Sequence, residues 1–165
     1  MDKPLSTVDL RILEVLQHEG DISNLRLAEA ICLSPSPCLQ RVRKLRSQGY
    51  IQGVSAVVDL RRLTQYVVVH CSIGLVEQTT RHLAAFEAAV LKIPEVLECS
   101  AISGDYNYLL KIVARDMEHY AELLRSMMEM NIGVKTHASV VEVKNVKRSL
   151  AFPLRSLLNG RFDGA

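Results

Sequence analysis

Residues 23–49 constrain the fold of this chain most, because they predict two short helices joined by a tight turn. Ser34 stands at the N-cap of the second helix, and Pro35 takes the first helical position, where a missing N–H costs nothing. Apolar residues then recur at helical spacing and predict one buried stripe, formed by Leu39, Val42 and Leu45. The second helix is therefore expected to pack by one side only.

The other side of this helix is polar and basic, and it carries Gln40, Arg41, Arg43, Lys44 and Ser47. The four cations of residues 41–46 have no carboxylate among them to balance their charge. A helix that packs on one side and presents polar side chains from its first turns is what a DNA major groove accepts. The alternative is an ordinary surface helix with solvated charges.

A third helix precedes these two, over residues 7–18, with an apolar face and Ser6 or Thr7 as its cap. Asp9 complements its positive end, and Gly20 follows its last turn. Together the three predict a helix-turn-helix domain over residues 1–52.

The second half alternates strands and helices in the order βαββαβ. Strand patterns cover residues 66–75, 96–103, 106–114 and 134–143, with helices over 79–93 and after Asp116. This order predicts a ferredoxin-like domain over residues 66–145, making the whole chain α+β. Residues 53–65 are expected to be a strand linker, and residues 146–165 a tail that is either frayed or docked. Val, Ile and Leu on both sides of the strands predict a partner sheet, and hence a dimer.

Composition narrows the class of protein. No apolar run approaches the ~20 residues of a membrane span, and residues 1–9 do not resemble a signal peptide, so a cytoplasmic protein is expected. The four cysteines match no zinc or redox spacing and are expected to be buried, reduced thiols. Net charge is only +2, so any DNA contact must come from a local cluster and from oligomerisation.

Two motifs, LSPSPCLQRVRKL at 33–45 and SGDYNYLL at 103–110, stand in the order found in the Lrp/AsnC family of transcription regulators. The resemblance covers about residues 5–145. It implies a DNA-binding regulator without a catalytic site, metal or cofactor, whose partners are double-stranded DNA and a small amino-acid effector bound between dimers. It further implies homodimers, which in this family often assemble into octamers.

The resemblance also assigns residues. Ser34 and Ser36 would touch phosphate or base edges, Gln40 and Arg43 would contact bases, and Arg41 and Lys44 would hold phosphates. The effector site would comprise Ala101, Gly104, Asp105, Asn107, Met117 and Ser139.

Asn107 departs from the family pattern, which commonly has a second Asp at this position, and the N-I-G-V-K segment before the last strand is a few residues short. Both departures bear on the effector. Without the resemblance, SGDYN is an ordinary hairpin turn. Two other functions stay open: a sirohaem-decarboxylase-like enzyme on the same architecture, and an architectural DNA-binding protein without effector control. The five histidines show no pairing at metal-ligand spacing.

Overall fold

The computed structural model describes residues 5–158, which separate into two units with separate hydrophobic cores. The helical unit contains residues 5–57 and 147–158. The sheet unit contains residues 58–146. No helix in the described part of the chain is long and apolar enough to cross a membrane.

The helical unit begins with α1 (Thr7–His18), α2 (Asn24–Ala30) and α3 (Pro35–Ser47). The bounds predicted for α1 are those found. Its start is fixed by a reciprocal cap, in which the Asp9 amide donates to Ser6 Oγ and the Ser6 amide donates to the Asp9 carboxylate. Ser34 does hold the N-cap position of α3, but its side chain makes no capping hydrogen bond.

One core joins the three helices, and its buried members are Ile12, Leu27, Ala28, Ile31, Cys38, Val42 and Leu45. The predicted stripe of α3 is wrong at one position. Cys38 is fully buried, whereas Leu39 is 37% exposed. The spacing pattern admits either residue at the first position of the stripe, and the packing of α1 and α2 selects Cys38.

Cys32 lies in the turn between α2 and α3 with a φ of +58°, a left-handed conformation that costs a side-chain-bearing residue about 1 kcal/mol. Cys32→Gly is therefore expected to stabilise the helical unit by about 0.5–1 kcal/mol, measured as a higher urea midpoint. Cys99→Gly is the matched control, because Cys99 lies in a regular strand, and it is expected to lower the urea midpoint of residues 58–146. A lower midpoint for Cys32→Gly would show that the thiol contributes more than the strain costs.

The expected strand over the linker is wrong. Residues 51–59 form no strand, and a one-turn 3-10 helix, Leu60–Arg62, follows them. β-prone residues need a neighbouring strand to satisfy their backbone groups, and within the described chain this segment pairs with none.

The sheet unit has the predicted order: β1 (Val67–Leu75), α4 (Thr80–Val90), β2 (Val96–Ala101), β3 (Tyr108–Ala114), α5 (Met117–Glu129) and β4 (Val134–Val141). Its four strands are antiparallel and lie in the order β2-β3-β1-β4. Two central strands joined through helices to two edge strands make the ferredoxin-like topology.

Both helices pack on one face of this sheet. Along β3, Tyr108, Leu110 and Ile112 are buried in a core that also contains side chains of α4 and α5. Leu109 and Lys111 alternate with them and point to the opposite face. We call this second surface the open face.

The burial predicted for the cysteines is correct for two of the four. Cys38 and Cys71 are buried, but Cys32 and Cys99 are exposed, and all four are free thiols. Cys32 is in a turn and Cys99 in an edge strand, where apolar neighbours in the sequence do not guarantee burial.

Candidate nucleic-acid interface and effector site

The outward face of α3 lies opposite its buried stripe. At about 100° per residue, Ser36, Gln40 and Arg43 fall on one line along the helix, with Lys44 beside it. All four side chains are exposed. No carboxylate of residues 5–158 lies within 4.0 Å of the nitrogens of Arg43 or Lys44. This face therefore presents a carboxamide and two cations with no ion-pair partner among residues 5–158, and these side-chain types can hydrogen-bond to base edges and phosphates.

Arg41 differs from the other cations of α3. Its Nη1 lies 2.8 Å from Asp9 Oδ1 and also donates to Ser6 Oγ at 3.2 Å. Burial raises the pKa of Asp9, but the hydrogen bonds from Ser6 and Arg41 outweigh burial and lower that pKa overall. The sequence indicated four cations in residues 41–46 without a neighbouring carboxylate, but Arg41 is paired with the Asp9 carboxylate of α1. The Asp9–Arg41 pair ties α3 to α1.

The start of α3 is held by a contact that sequence reasoning missed. Asn24 Nδ2 donates to the Pro35 carbonyl at 2.9 Å and so links the first turns of α2 and α3. Ser34 and Ser36 are exposed beside this link. Asn24 and Pro35 are 11 residues apart, so no local sequence pattern signals this contact.

The turn between β2 and β3 carries four of the predicted effector residues. Ala101 ends β2, Gly104 has a φ of +119°, and Asp105 is exposed. Asn107 is a structural junction, because its Oδ1 accepts from the Leu75 amide at 2.8 Å. Its own amide donates to the Ile73 carbonyl at 2.8 Å.

The other two predicted effector residues lie elsewhere in the unit. Met117 opens α5 just after the far end of β3, about 20 Å along that strand from Asn107. Ser139 lies on the helix side of β4, where its Oγ hydrogen-bonds to the hydroxyl of Tyr120 and donates to Cys71 Sγ. One chain therefore does not gather the six residues into a single pocket.

Two further features of the sheet unit were not predicted. The hydroxyl of Tyr108 donates to Glu87 Oε1 at 2.7 Å, and burial together with this bond raises the pKa of Tyr108 to about 12. A cavity of about 420 Å³ lies beside the start of β1 and the segment that follows β4, and its lining includes Arg61, Tyr66, Glu142 and Lys144. None of the predicted effector residues lines it.

Comparison with known proteins agrees with both units. The family model for the Lrp/AsnC ligand binding domain matches residues 68–152, and a model for a winged helix-turn-helix DNA-binding domain matches residues 5–52. The chain belongs to the Lrp/AsnC family. It is a transcription regulator with a helix-turn-helix DNA-binding domain and a ligand-binding domain.

Relatives in the Lrp/AsnC family share most of their length with this chain. The leucine-responsive regulatory protein of Salmonella typhimurium is 40% identical over 147 residues, which are 89% of this chain and 90% of the relative. Its Escherichia coli K12 counterpart is 39% identical over the same length.

Solved structures of this family show the same fold. A transcriptional regulator of Neisseria meningitidis, solved as a complex with L-methionine, has a TM-score of 0.87 and 30% identity and covers 94% of this chain and 100% of its own. An AsnC family regulator of Agrobacterium tumefaciens has a TM-score of 0.85 and 29% identity over 91% of this chain and 97% of its own.

Proposed function

We propose that α3 enters the DNA major groove and reads sequence through Gln40 and Arg43. Ser34 and Ser36 contact the DNA at the helix start, and Lys44 holds a phosphate. The outward face of α3 supports this proposal, because it is exposed and lies opposite a well-packed core. Arg41 forms an ion pair with Asp9 that links α3 to α1, and we propose that it also contacts a phosphate.

A gel-shift assay on the DNA upstream of the protein's own gene tests this proposal. We expect a shifted complex that unlabelled specific duplex displaces at much lower concentration than a scrambled duplex of equal length. Equal competition by both duplexes would mean non-specific phosphate binding, as in an architectural protein.

The protein is proposed to bind DNA as at least a dimer, which forms when a second copy covers the open face of the sheet. This face carries exposed Leu109 and Val140, and a buried apolar surface is what stabilises an obligate interface. A dimer places two recognition helices on successive half-sites. A single helix with few cations neutralises few phosphates and therefore binds DNA weakly. Dimers would then assemble further, as far as octamers.

Val140→Asp is expected to dissociate this dimer, because it places a carboxylate within the proposed apolar interface. Light scattering at micromolar concentration should give at least twice the 18.4 kDa chain mass for the native protein and a lower mass for the variant. Leu91→Asp is the matched control, since Leu91 is 87% exposed beyond the end of α4. A native protein of 18.4 kDa, or an unchanged mass for Val140→Asp, would contradict this interface.

The effector is proposed to be an amino acid bound between copies of the chain at the Gly104–Asn107 turn. The regulator of Neisseria meningitidis, 30% identical, was solved with L-methionine, which supports this ligand class. Residues that lie apart in one chain, such as Met117 and Asp105, would then come from different copies. Turn amides can hold the carboxylate of an amino acid, and Asp105 can hold its ammonium group.

Asn107→Asp is expected to tighten amino-acid binding by about 1 kcal/mol, because hydrogen bonds to charged groups are about twice as strong as neutral ones. The substitution keeps an oxygen for the Leu75 amide, so the turn itself should be preserved. Calorimetry across the amino acids should show weak binding of a neutral or polar one to the native protein.

Gln52→Glu adds the same charge in the other unit and should leave the calorimetry unchanged. Tight binding of lysine or arginine to the native protein, or unchanged affinities in Asn107→Asp, would exclude Asn107 from the site.

A further inference from the structure

The described end of the chain docks on the helical unit. Gln17 of α1 forms a reciprocal amide pair with Phe152: the Phe152 amide donates to Gln17 Oε1 at 2.7 Å, and Gln17 Nε2 donates to the Phe152 carbonyl at 3.3 Å. Of the two alternatives for the tail, these contacts favour docking for residues 147–158. Residues 159–165 lie outside the described residues.

A second contact fixes the direction of the docked segment. Arg155, in the one-turn helix α6 (Leu154–Leu157), makes a bidentate pair with Glu14, with Nε at 2.7 Å from Oε1 and Nη2 at 3.0 Å from Oε2. The hydrogen bonds from Arg155 lower the pKa of Glu14. Glu14 and Gln17 are three residues apart, so they form one face of α1.

The docked segment is joined directly to the sheet. Residues 142–149 run from the end of β4 to this segment, and the family's ligand-binding model extends as far as residue 152. The helical unit is therefore tied to the sheet unit by two stretches of chain, at residues 57–58 and at residues 146–147. On its other side, α1 is tied to α3 by Asp9 and Arg41.

We propose that residues 150–155 are a strap, bound by Glu14 and Gln17, through which the state of the sheet unit adjusts α1 and hence α3. The regulatory part of this inference rests on the proposed amino-acid response. The two polar contacts that hold the segment are exposed, since Phe152 remains 70% exposed and the Arg155 side chain 75%. Contacts of this kind are individually weak, so a small change at the end of β4 can release the strap.

Charge reversal tests the strap without touching the DNA or effector residues. Glu14→Arg and Arg155→Glu should each speed hydrogen exchange of the Phe152 amide by about two- to fivefold, the range expected for one exposed ion pair. The double variant reverses the pair and should restore slow exchange. Arg148→Glu makes the same change on an exposed residue of the same segment, outside every ion pair found in residues 5–158, and should exchange like the native protein.

The regulatory part is tested by DNA affinity of the same four variants with and without methionine. Each single reversal should reduce the change in affinity that methionine produces, and the double variant should recover it. Native-like exchange in both single variants would overturn the docking of the strap, and native-like methionine responses in both would overturn its regulatory part. If the native protein itself ignores methionine and every other amino acid, the effector proposal and the regulatory part fail together, while the exchange rates still decide whether the strap docks.

Discussion

Arg43→Ala is expected to lower affinity for the specific operator by about 1–3 kcal/mol per half-site and to relax specificity at one base pair. A guanidinium reads guanine through two hydrogen bonds, and alanine leaves those base atoms unpaired. Lys44→Ala is expected to weaken binding to all sequences alike and to reduce the slope of log affinity against log salt by about one per site. Affinities for a set of single-base operator variants, measured at several salt concentrations, separate the two patterns.

Arg81→Ala is the control for net charge, because it removes one exposed cation from α4 in the sheet unit. It should leave the specificity profile unchanged. An Arg43→Ala protein that loses the same factor on every operator variant would show that Arg43 contacts phosphate and that another side chain reads that base.

Leu45→Ala is expected to unfold the helical unit while the sheet unit stays folded and assembled. Leu45 is 1% exposed in a core that is separate from the core of the sheet. Removing a buried leucine costs about 2–5 kcal/mol, a large fraction of the stability of a small helical domain. DNA binding should disappear, and the mass from light scattering should not change.

Leu39→Ala, six residues earlier in the same helix, is the matched control, since Leu39 is 37% exposed. We expect near-native unfolding of that variant, followed by circular dichroism. Loss of the oligomer together with the helical unit in Leu45→Ala would mean that the two cores unfold as one.

Features set by neighbouring residues were predicted well from the sequence. The reciprocal pair of Ser6 and Asp9 fixes the start of α1, and its predicted bounds match the structure. The turn residues and the alternating apolar pattern placed all four strands of the sheet within a few residues of their observed bounds. Each of these signals acts within a few positions along the chain, so a single sequence contains it.

Features set by distant residues were not predicted. Asp9 and Arg41 are far apart in sequence, so their ion pair could not be anticipated, and Arg41 was counted as free. The same holds for Asn107 with Leu75 and for Arg155 with Glu14. The linker was predicted as a strand because composition indicates β propensity but does not supply a partner strand.

The proposed effector site is the least predictable part, because its predicted residues are divided between separate places in one chain. A turn motif can indicate where a ligand's charged groups bind, whereas the side chains that would complete the pocket under our proposal come from other copies of the chain. The proposed DNA interface is more predictable, since α3 and its N-cap carry all of its proposed residues.

The most direct measurement of the central claim is fluorescence anisotropy of the full-length protein with a labelled operator and a scrambled duplex, at one fixed salt concentration, with and without L-methionine and L-leucine. We predict a specificity ratio of at least about 10³ for the operator, the lower end for specific regulators. We also predict that at least one amino acid changes operator affinity by about fivefold or more, the usual lower range of allosteric coupling. Equal affinity for both duplexes, unaffected by either amino acid, would contradict the claim that this chain is a ligand-responsive, sequence-specific regulator.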